Sequence, residues 1–283
     1  MPDRVTDPTP YPDVNALLHG LLSDVQAVLG RQFVGMYLSG SLASGDFDVE
    51  RSDIDLLIVT ADELPAETIA ALEAMHARIT ASGLQWATHL EGSYIPQDVL
   101  SRYDPSRATH PSLAVGGKFG MDHQGSDGII QRHILREQGV VVAGPALQTL
   151  IEPVSPCDLQ QAMRATLDEW WRPQLADPFR LRHREYQAYA VLTMCRALYM
   201  LQYAAVVSKP VAARWAQRVL GQPWAALIER ALAWRHDDRV DDVSETLELI
   251  QYTLSEEELS HIQRSRRRRM GDPTIRPKTL IIW

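Results

Sequence analysis

The pattern of apolar positions changes character partway along the chain. Up to residue 155, short apolar runs alternate with helical patterns, which predicts a domain of strands and helices. After it, apolar residues recur only at helical spacing, and Glu185–Val207 is apolar nearly all round, as in the central helix of a bundle. We therefore expect an α+β protein. An N-terminal α/β domain with a mixed sheet spans residues 1–155, and an all-α helical bundle spans 156–283.

The boundaries of the predicted elements follow from apolar periodicity and from glycine and proline. In the first domain the predicted strands are Phe33–Leu38, Asp53–Val59 and Leu84–Ile95, and the predicted helices are Val14–Leu29, Pro65–Ala81 and Ile129–Gln138. Pro105–Gly128 is rich in Gly, Pro, Ser and His, which predicts a long loop. Pro153 and Pro156 restrict the backbone and indicate a hinge over Ile151–Pro156. The second domain is predicted to hold the helices Asp158–Trp171, Glu185–Val207, Val211–Leu220, Trp224–Arg235 and Asp241–Leu254.

Composition excludes several classes of protein. The 283 residues are 45% hydrophobic and 23% charged, as in an ordinary globular protein, and the two cysteines give no disulfide framework. The net charge of −8 argues against nucleic-acid binding by the whole surface. Arg264–Arg269 carries five arginines in six residues, which indicates a solvated tail or, alternatively, a nucleic-acid or phosphate contact. We find no signal peptide and no membrane-spanning run, so we expect a cytoplasmic location.

The strongest chemical signal is a glycine-serine turn followed by two spaced aspartates. Gly40 and Ser41 offer backbone N–H groups and a hydroxyl to phosphate oxygens. Asp53 and Asp55 point to the same face of a strand, because side chains alternate with a period of two. Mg²⁺ is often held by one or two carboxylates together with substrate phosphates. This pattern favours a site for a nucleoside triphosphate and its metals over a charged turn before an ordinary strand.

A third carboxylate is needed if a hydroxyl is to attack a phosphate, because that hydroxyl must lose its proton to a base. Glu91 lies on the next predicted strand and is our candidate. Asp98 follows Pro96 and is a weaker substitute, and a surface role for Glu91 is the alternative. His89 shares the parity of Glu91 and could line the same face or simply pack there.

These residues resemble the nucleotidyltransferase superfamily with the DNA polymerase beta-like fold, and more narrowly the aminoglycoside adenylyltransferases that modify streptomycin and spectinomycin. The superfamily motif is matched by Tyr-Leu-Ser-Gly-Ser-Leu-Ala-Ser-Gly and by Ser-Asp-Ile-Asp-Leu-Leu. Three further segments resemble the subfamily: Val-Ala-Gly-Pro ending at Pro145, the helical-domain signature Val191–Arg196, and Ser208–Ala216. The resemblance covers most of the chain.

The resemblance implies an enzyme that moves AMP from ATP to a hydroxyl of an aminoglycoside-type acceptor and releases pyrophosphate. It implies that Asp53 and Asp55 ligate two Mg²⁺ ions and that Glu91 is the catalytic base. The residues implied to contact ATP are Gly40, Ser41, Ser52, Arg196, Lys209 and Trp234. The helical domain would complete the ATP and acceptor site, and we expect a monomer without membrane or nucleic-acid partners.

The acceptor is less well defined by the sequence. The acids and the tryptophan that contact the antibiotic in drug-modifying members fall near Arg182, Tyr186 and Tyr189, and Glu185 is one residue out of register. One alternative is a nucleotidyltransferase that acts on a protein, an RNA end or a small metabolite. A second alternative is a non-catalytic nucleotide-binding module, which would predict the loss of a metal carboxylate.

Overall fold

A computed structural model describes residues 7–50, 52–234 and 242–255. Its N-terminal half folds around a sheet and its C-terminal half is helical, so the predicted α+β class is confirmed. The strands are β1 (Phe33–Leu38), β2 (Ile54–Thr60), β3 (Leu90–Pro96), β4 (Thr109–Ala114), β5 (Lys118–His123) and β6 (Val140–Ala143). The helices of this half are α1 (Pro12–Leu29), α2 (Gly40–Ser44), α3 (Ala66–Thr80), α4 (Gln97–Ser101), α5 (Asp127–Gln138) and α6 (Leu147–Leu150). Those of the second half are α7 (Pro156–Thr166), α8 (Pro173–Ala176), α9 (Arg184–Tyr203), α10 (Lys209–Leu220), α11 (Trp224–Ala233) and α12 (244–255).

The sheet is mixed, as the sequence predicts, and its strand order is β5-β4-β3-β2-β1-β6. Neighbouring strands run antiparallel except β2 and β3, which are parallel and are joined through α3. A parallel pair needs such a crossover because both of its strands begin at the same edge of the sheet. In this register Asp55 lies directly beside Glu91.

Alternation along β2 sends its side chains into two cores. Leu56 and Ile58 pack with α1 and α3 on one face of the sheet. Leu57 and Val59 pack on the opposite face, in a core that also holds residues of α4, α5 and α6. Because Asp55 has the parity of Leu57, its side chain belongs to this second face, beyond the end of the apolar core.

The third strand begins at Leu90, and the prediction that it begins at Leu84 is wrong. Residues 84–89 form turns, in which the Ala87 N–H donates to the Leu84 carbonyl (3.1 Å) and the His89 N–H donates to the Trp86 carbonyl (2.9 Å). Trp86 has a φ of +75° and is only 6% exposed. The side chain of Trp86 is buried, as in a strand, although its backbone lies in a turn.

The predicted loop Pro105–Gly128 is also wrong in its central part, where β4 and β5 form a hairpin at the edge of the sheet. Gly116 and Gly117 make the turn with φ values of +84° and +82°. Glycine is favoured there because a side chain strains this left-handed backbone region. The polar and proline-rich composition concealed two strands that a Gly-Gly turn connects.

The helical half packs around α9, which confirms Glu185–Val207 as the predicted central helix but places its end earlier. The helix ends at Tyr203 because Ala204 adopts a left-handed conformation with a φ of +53°. The predicted helices that follow are present as α10, α11 and α12. Arg235, Asp241 and the arginine-rich segment Arg264–Arg269 lie outside the described residues.

The predicted helix Asp158–Trp171 is divided in two. After α7 the chain makes one turn of π-helix over Leu167–Trp171, which is closed by a hydrogen bond of 2.9 Å from the Arg172 N–H to the Leu167 carbonyl. The wider turn buries Trp171 (1% exposed) and leaves its neighbour Trp170 45% exposed. An aromatic side chain is thereby presented to solvent beside the sheet domain.

The segment between α6 and α7 is extended and contains the predicted hinge, whose motion stays a prediction. The domain boundary at residue 155 falls in this segment and also stays a prediction. Within the described ranges, no helix combines the length and apolar character required to cross a lipid bilayer.

Candidate active site

The glycine-serine turn lies against the carboxylate of Asp55. The Ser39 N–H donates to the Asp55 carbonyl at 3.0 Å, which ties the end of β1 to the start of β2. Gly40 has a φ of +59°, and a Cβ at this position would overlap Oδ2 of Asp55. Only glycine satisfies both the backbone angle and the space. The short helix α2 then ends at Gly45 (φ +77°), whose N–H donates to the Ser41 carbonyl.

Ser52 shapes the loop that leads into β2. Its N–H donates to the Asp48 carbonyl at 2.8 Å, and its hydroxyl oxygen accepts from the Asp48 N–H at 3.0 Å. The hydroxyl proton can still donate to an incoming oxygen. Asp53 follows directly and lies just before β2, whose first residue is Ile54.

Three carboxylates converge at this end of the sheet. Burial raises the pKa of Asp55 to about 6, with Lys209 opposing the shift and Asp53 adding to it. Desolvation, together with the charges of Asp55 and Asp53, likewise raises the pKa of Glu91 to about 7. Glu91 remains open to solvent on one side, so we place it on the wall of a cleft. The strand register and the shared electrostatics therefore bring together the three predicted acids.

Two cations of the helical half face these acids. Arg196 on α9 interacts electrostatically with Asp55, and Lys209 at the start of α10 interacts with Asp55, Asp53 and Glu91. Burial lowers the pKa of both cations, and Arg196 lowers that of Lys209 further. Within the described ranges neither forms a salt bridge with a carboxylate. Both positive charges therefore remain available to an anion in the cleft.

The acids fit a divalent cation that shares its ligands with a substrate. The negative charges of Asp53 and Asp55 repel each other, and a bound cation would relieve this repulsion. Because Gly40 has no side chain, there is also room beside Oδ2 of Asp55. In the part of the chain that the structure describes, no set of three or more His, Cys, Asp or Glu side chains forms a complete metal site. Phosphate oxygens would have to supply the remaining ligands.

Other residues considered in the sequence lie elsewhere. Trp234 is partly buried against the core of the helical half, and its position near a nucleotide stays a prediction. His89 precedes β3, and its ring centroid lies 5.5 Å from that of Trp86. Asp98 accepts a hydrogen bond of 2.6 Å from Arg107, so it is engaged away from the three acids.

Sequence reasoning missed further acids along the cleft. Asp122 on β5 interacts electrostatically with Glu91, and Asp127 at the start of α5 interacts with both Asp122 and Glu169. Glu169 lies on the π-helical turn, and its Oε1 accepts a 2.8 Å hydrogen bond from the Ser126 hydroxyl. Asp122 and Asp127 belong to the segment that was predicted to be a loop, which explains why no strand parity identified them.

Aromatic rings form the adjoining wall of the helical half. The Trp170 indole N–H donates to the Tyr186 hydroxyl at 3.1 Å, and the rings of Tyr186 and Tyr189 lie 5.5 Å apart. The Arg180 guanidinium lies over the Trp170 ring at 5.2 Å. Tyr186 and Tyr189 occupy the stretch in which the sequence offered no acid in register.

Comparison with known families agrees with this arrangement. Residues 27–94 match the family described as nucleotidyltransferase domain, which includes the glycine-serine turn, Asp53, Asp55 and Glu91. Residues 149–256 match the aminoglycoside adenylyltransferase, C-terminal domain, which includes Arg196 and Lys209. The two matches thus cover both sides of the cleft.

Individual proteins give the same picture. The chain is 29% identical over 218 residues to an aminoglycoside (3'') (9) adenylyltransferase of Rhizobium radiobacter, covering 73% of this chain and 76% of the relative. Its fold is similar to that of the spectinomycin adenyltransferase AAD(9) from Enterococcus faecialis, solved with ATP and spectinomycin. That similarity has a TM-score of 0.67 at 14% identity and covers 86% of this chain and 98% of the other. On these matches the chain is an enzyme of the adenylyltransferase kind, and its two halves resemble a nucleotidyltransferase domain and the C-terminal domain of an aminoglycoside adenylyltransferase.

Proposed function

We propose that this enzyme transfers AMP from ATP to a hydroxyl of an aminoglycoside-type antibiotic similar to streptomycin or spectinomycin. The observation that carries the proposal is the pairing of Asp55 with Glu91 in one strand register, opposite Arg196 and Lys209. One side of the cleft has acids suited to metal binding and proton transfer. The other side has cations suited to the triphosphate.

In the proposed reaction, Glu91 accepts the proton of the acceptor hydroxyl. The hydroxyl oxygen then bonds to the α-phosphorus of ATP as the bond from that phosphorus to the bridging oxygen breaks, and pyrophosphate leaves. Two Mg²⁺ ions, held by Asp53 and Asp55, would supply positive charge at the attacking and leaving oxygens. Arg196 and Lys209 bind the phosphates from the helical half, while Ser41 and Ser52 orient them from the turns.

The choice of acceptor is supported by the relatives and by the charge of the cleft. Both proteins compared above are named as antibiotic adenylyltransferases. Asp122 interacts with Glu91, and Asp127 interacts with Asp122 and Glu169, so a polycationic acceptor beside Glu91 would meet further negative charges. We infer that these acids take the place of the carboxylates missing near Arg182 and Tyr186.

The test is pyrophosphate release from Mg-ATP across a panel of aminoglycosides that includes spectinomycin. Asp53→Ala serves as the blank, and Asp24→Ala, which removes an exposed aspartate of α1, serves as the matched control. We expect release with streptomycin or spectinomycin in the natural protein and in Asp24→Ala but none in Asp53→Ala. If no compound in the panel causes release while ATP still binds, the acceptor is a protein, an RNA end or a small metabolite.

A further inference from the structure

The ammonium group of Lys209 lies over an aromatic ring. Its Nζ is 5.1 Å from the centroid of Tyr189, within the range of a cation–π interaction. Tyr189 lies on α9 and Lys209 is the first residue of α10, so the contact joins the two helices that border the cleft. Tyr189 is 42% exposed.

Tyr189 is itself held from several directions. Its ring centroid lies 5.8 Å from Trp171, which is buried in the helical core, and 5.5 Å from Tyr186. Because these contacts restrict the orientation of the Tyr189 ring, the ring can in turn hold the Lys209 ammonium group in one position.

Tyr189 and Arg196 lie on one face of α9. Arg196 follows Tyr189 by seven positions, which is close to two helical turns. Tyr189 also interacts electrostatically with Arg196. Tyr189 thus interacts with both cations that face Asp55, and its ring contacts the one that comes from the neighbouring helix.

A neutral ring differs from a carboxylate as a partner for a lysine. A salt bridge would neutralise the ammonium charge and would compete with phosphate oxygens for its protons. An aromatic face attracts the ammonium by its quadrupole and leaves the protons on the other side free to donate. Lysine needs such help more than arginine does, because its long side chain is flexible and its head group is a point charge.

We propose that Tyr189 is a positioning residue that holds the Lys209 ammonium over the cleft for the triphosphate of ATP. The inference rests on the proposed function and deepens it, since it assigns to Tyr189 a part in nucleotide binding. The family resemblance placed Tyr189 among the positions that face the acceptor. In the structure, the ring of Tyr189 contacts the ammonium group of Lys209 instead.

The test measures binding of a non-hydrolysable ATP analogue with Mg²⁺ by calorimetry, which needs no acceptor. Tyr189→Leu removes the aromatic face and Tyr189→Phe keeps it. Tyr203→Leu is the matched control, because Tyr203 is an exposed tyrosine of the same helix whose ring contacts Tyr199 and Trp215. We expect Tyr189→Leu to weaken analogue binding about tenfold, and Tyr189→Phe and Tyr203→Leu to change it less than about twofold.

A double-mutant cycle separates positioning from other roles. In a Lys209→Ala background, Tyr189→Leu should cost no further affinity, because the group that the ring positions is gone. An equal loss in both backgrounds, or a rise in the acceptor KM with unchanged analogue binding, would overturn the proposal. If Lys209→Ala alone leaves analogue binding unchanged, the nucleotide site of the proposed function fails instead, and the two failures are told apart.

Discussion

A glutamate with the ordinary pKa of 4.5 is a poor base near neutral pH, because it gives up its proton too readily. The pKa of Glu91 is raised to about 7 by burial and by the charges of Asp55 and Asp53. A general base works best when its pKa lies near the operating pH. The neighbouring acids and burial thus bring the pKa of Glu91, the proposed base, close to neutral pH.

The first prediction concerns pH. Because Glu91 must be unprotonated to act, kcat/KM should fall about tenfold per unit as the pH drops below about 7, and should level off above it. Glu91→Gln should lower kcat by at least about a hundredfold. Glu73→Gln, which changes an exposed glutamate of α3, should retain activity. A flat profile between pH 5.5 and 8 (~2.5 units) would rule out Glu91 as the base.

The second prediction concerns stability. The pKa of Asp55 is raised in the folded protein from 3.8 to about 6, so the folded state binds protons more tightly than the unfolded state. The ionised carboxylate therefore destabilises the fold, and the cost grows as the pH rises through 4 to 6 (~2 units) and is fully present above about 6. Removing the charge should recover part of that cost.

We expect Asp55→Asn to unfold at a temperature ~2–6 °C higher than the natural protein at pH 8, from a gain of about 1–2 kcal/mol, and to show almost no gain at pH 4. Thermal unfolding without Mg²⁺ measures this. An equal gain at both pH values would mean that packing, and not charge, is responsible. The variant should lack transferase activity.

At the level of elements, apolar periodicity was sufficient to predict a strand or helix that is buried on one face. The strands β1 and β2 and the central helix α9 follow from it. Apolar periodicity failed to predict the structure where an apolar residue is buried outside a strand or helix, or where a strand is largely exposed. Trp86 is buried although it lies in a turn, and β5 is exposed at most of its positions, including Met121. Neither segment therefore carries the period that its structure would require.

The candidate site shows the same division. Asp53, Asp55 and Glu91 could be found because they are close in sequence to recognisable strands. Glu169 could not, because its place opposite Ser126 depends on a π-helical turn and on how the two halves pack together. A single residue added to a helical turn has no apolar signature in the sequence.

The third prediction concerns this turn. Glu169→Gln keeps an oxygen that can accept from Ser126 but removes the charge. It should raise the KM of a cationic acceptor about five- to tenfold and leave the KM of ATP unchanged. Glu185→Gln, which changes an exposed acid one residue out of the expected register on α9, should change neither constant more than about twofold. A loss in ATP affinity instead would assign Glu169 a structural role.

At the scale of the whole molecule, the acids come from the sheet domain and the cations come from the helical bundle. Besides their mutual attraction, the Ser126–Glu169 hydrogen bond and the packing of α5 against α7 hold the two halves together. ATP would contact both, so its binding should favour a closed cleft in which the acceptor finds all of its partners. The monomeric state and the cytoplasmic location stay predictions.

The fourth prediction follows from this linkage. By calorimetry, streptomycin or spectinomycin should bind at least about tenfold more tightly when a non-hydrolysable ATP analogue and Mg²⁺ are present. The analogue should gain the same factor from the acceptor, because coupling between two ligands is reciprocal. Tight acceptor binding without a nucleotide, unchanged on its addition, would contradict an ordered cleft.

The parallel pairing of β2 and β3 has a consequence for how this enzyme can change. The spacing of Asp55 and Glu91 is set by main-chain hydrogen bonds, which depend little on the identity of other side chains. The wall proposed to meet the acceptor is built on a different part of the fold, from the exposed Trp170 and the half-buried Tyr186 among others. Laboratory evolution toward a new antibiotic should therefore collect substitutions in that wall and leave both strands untouched.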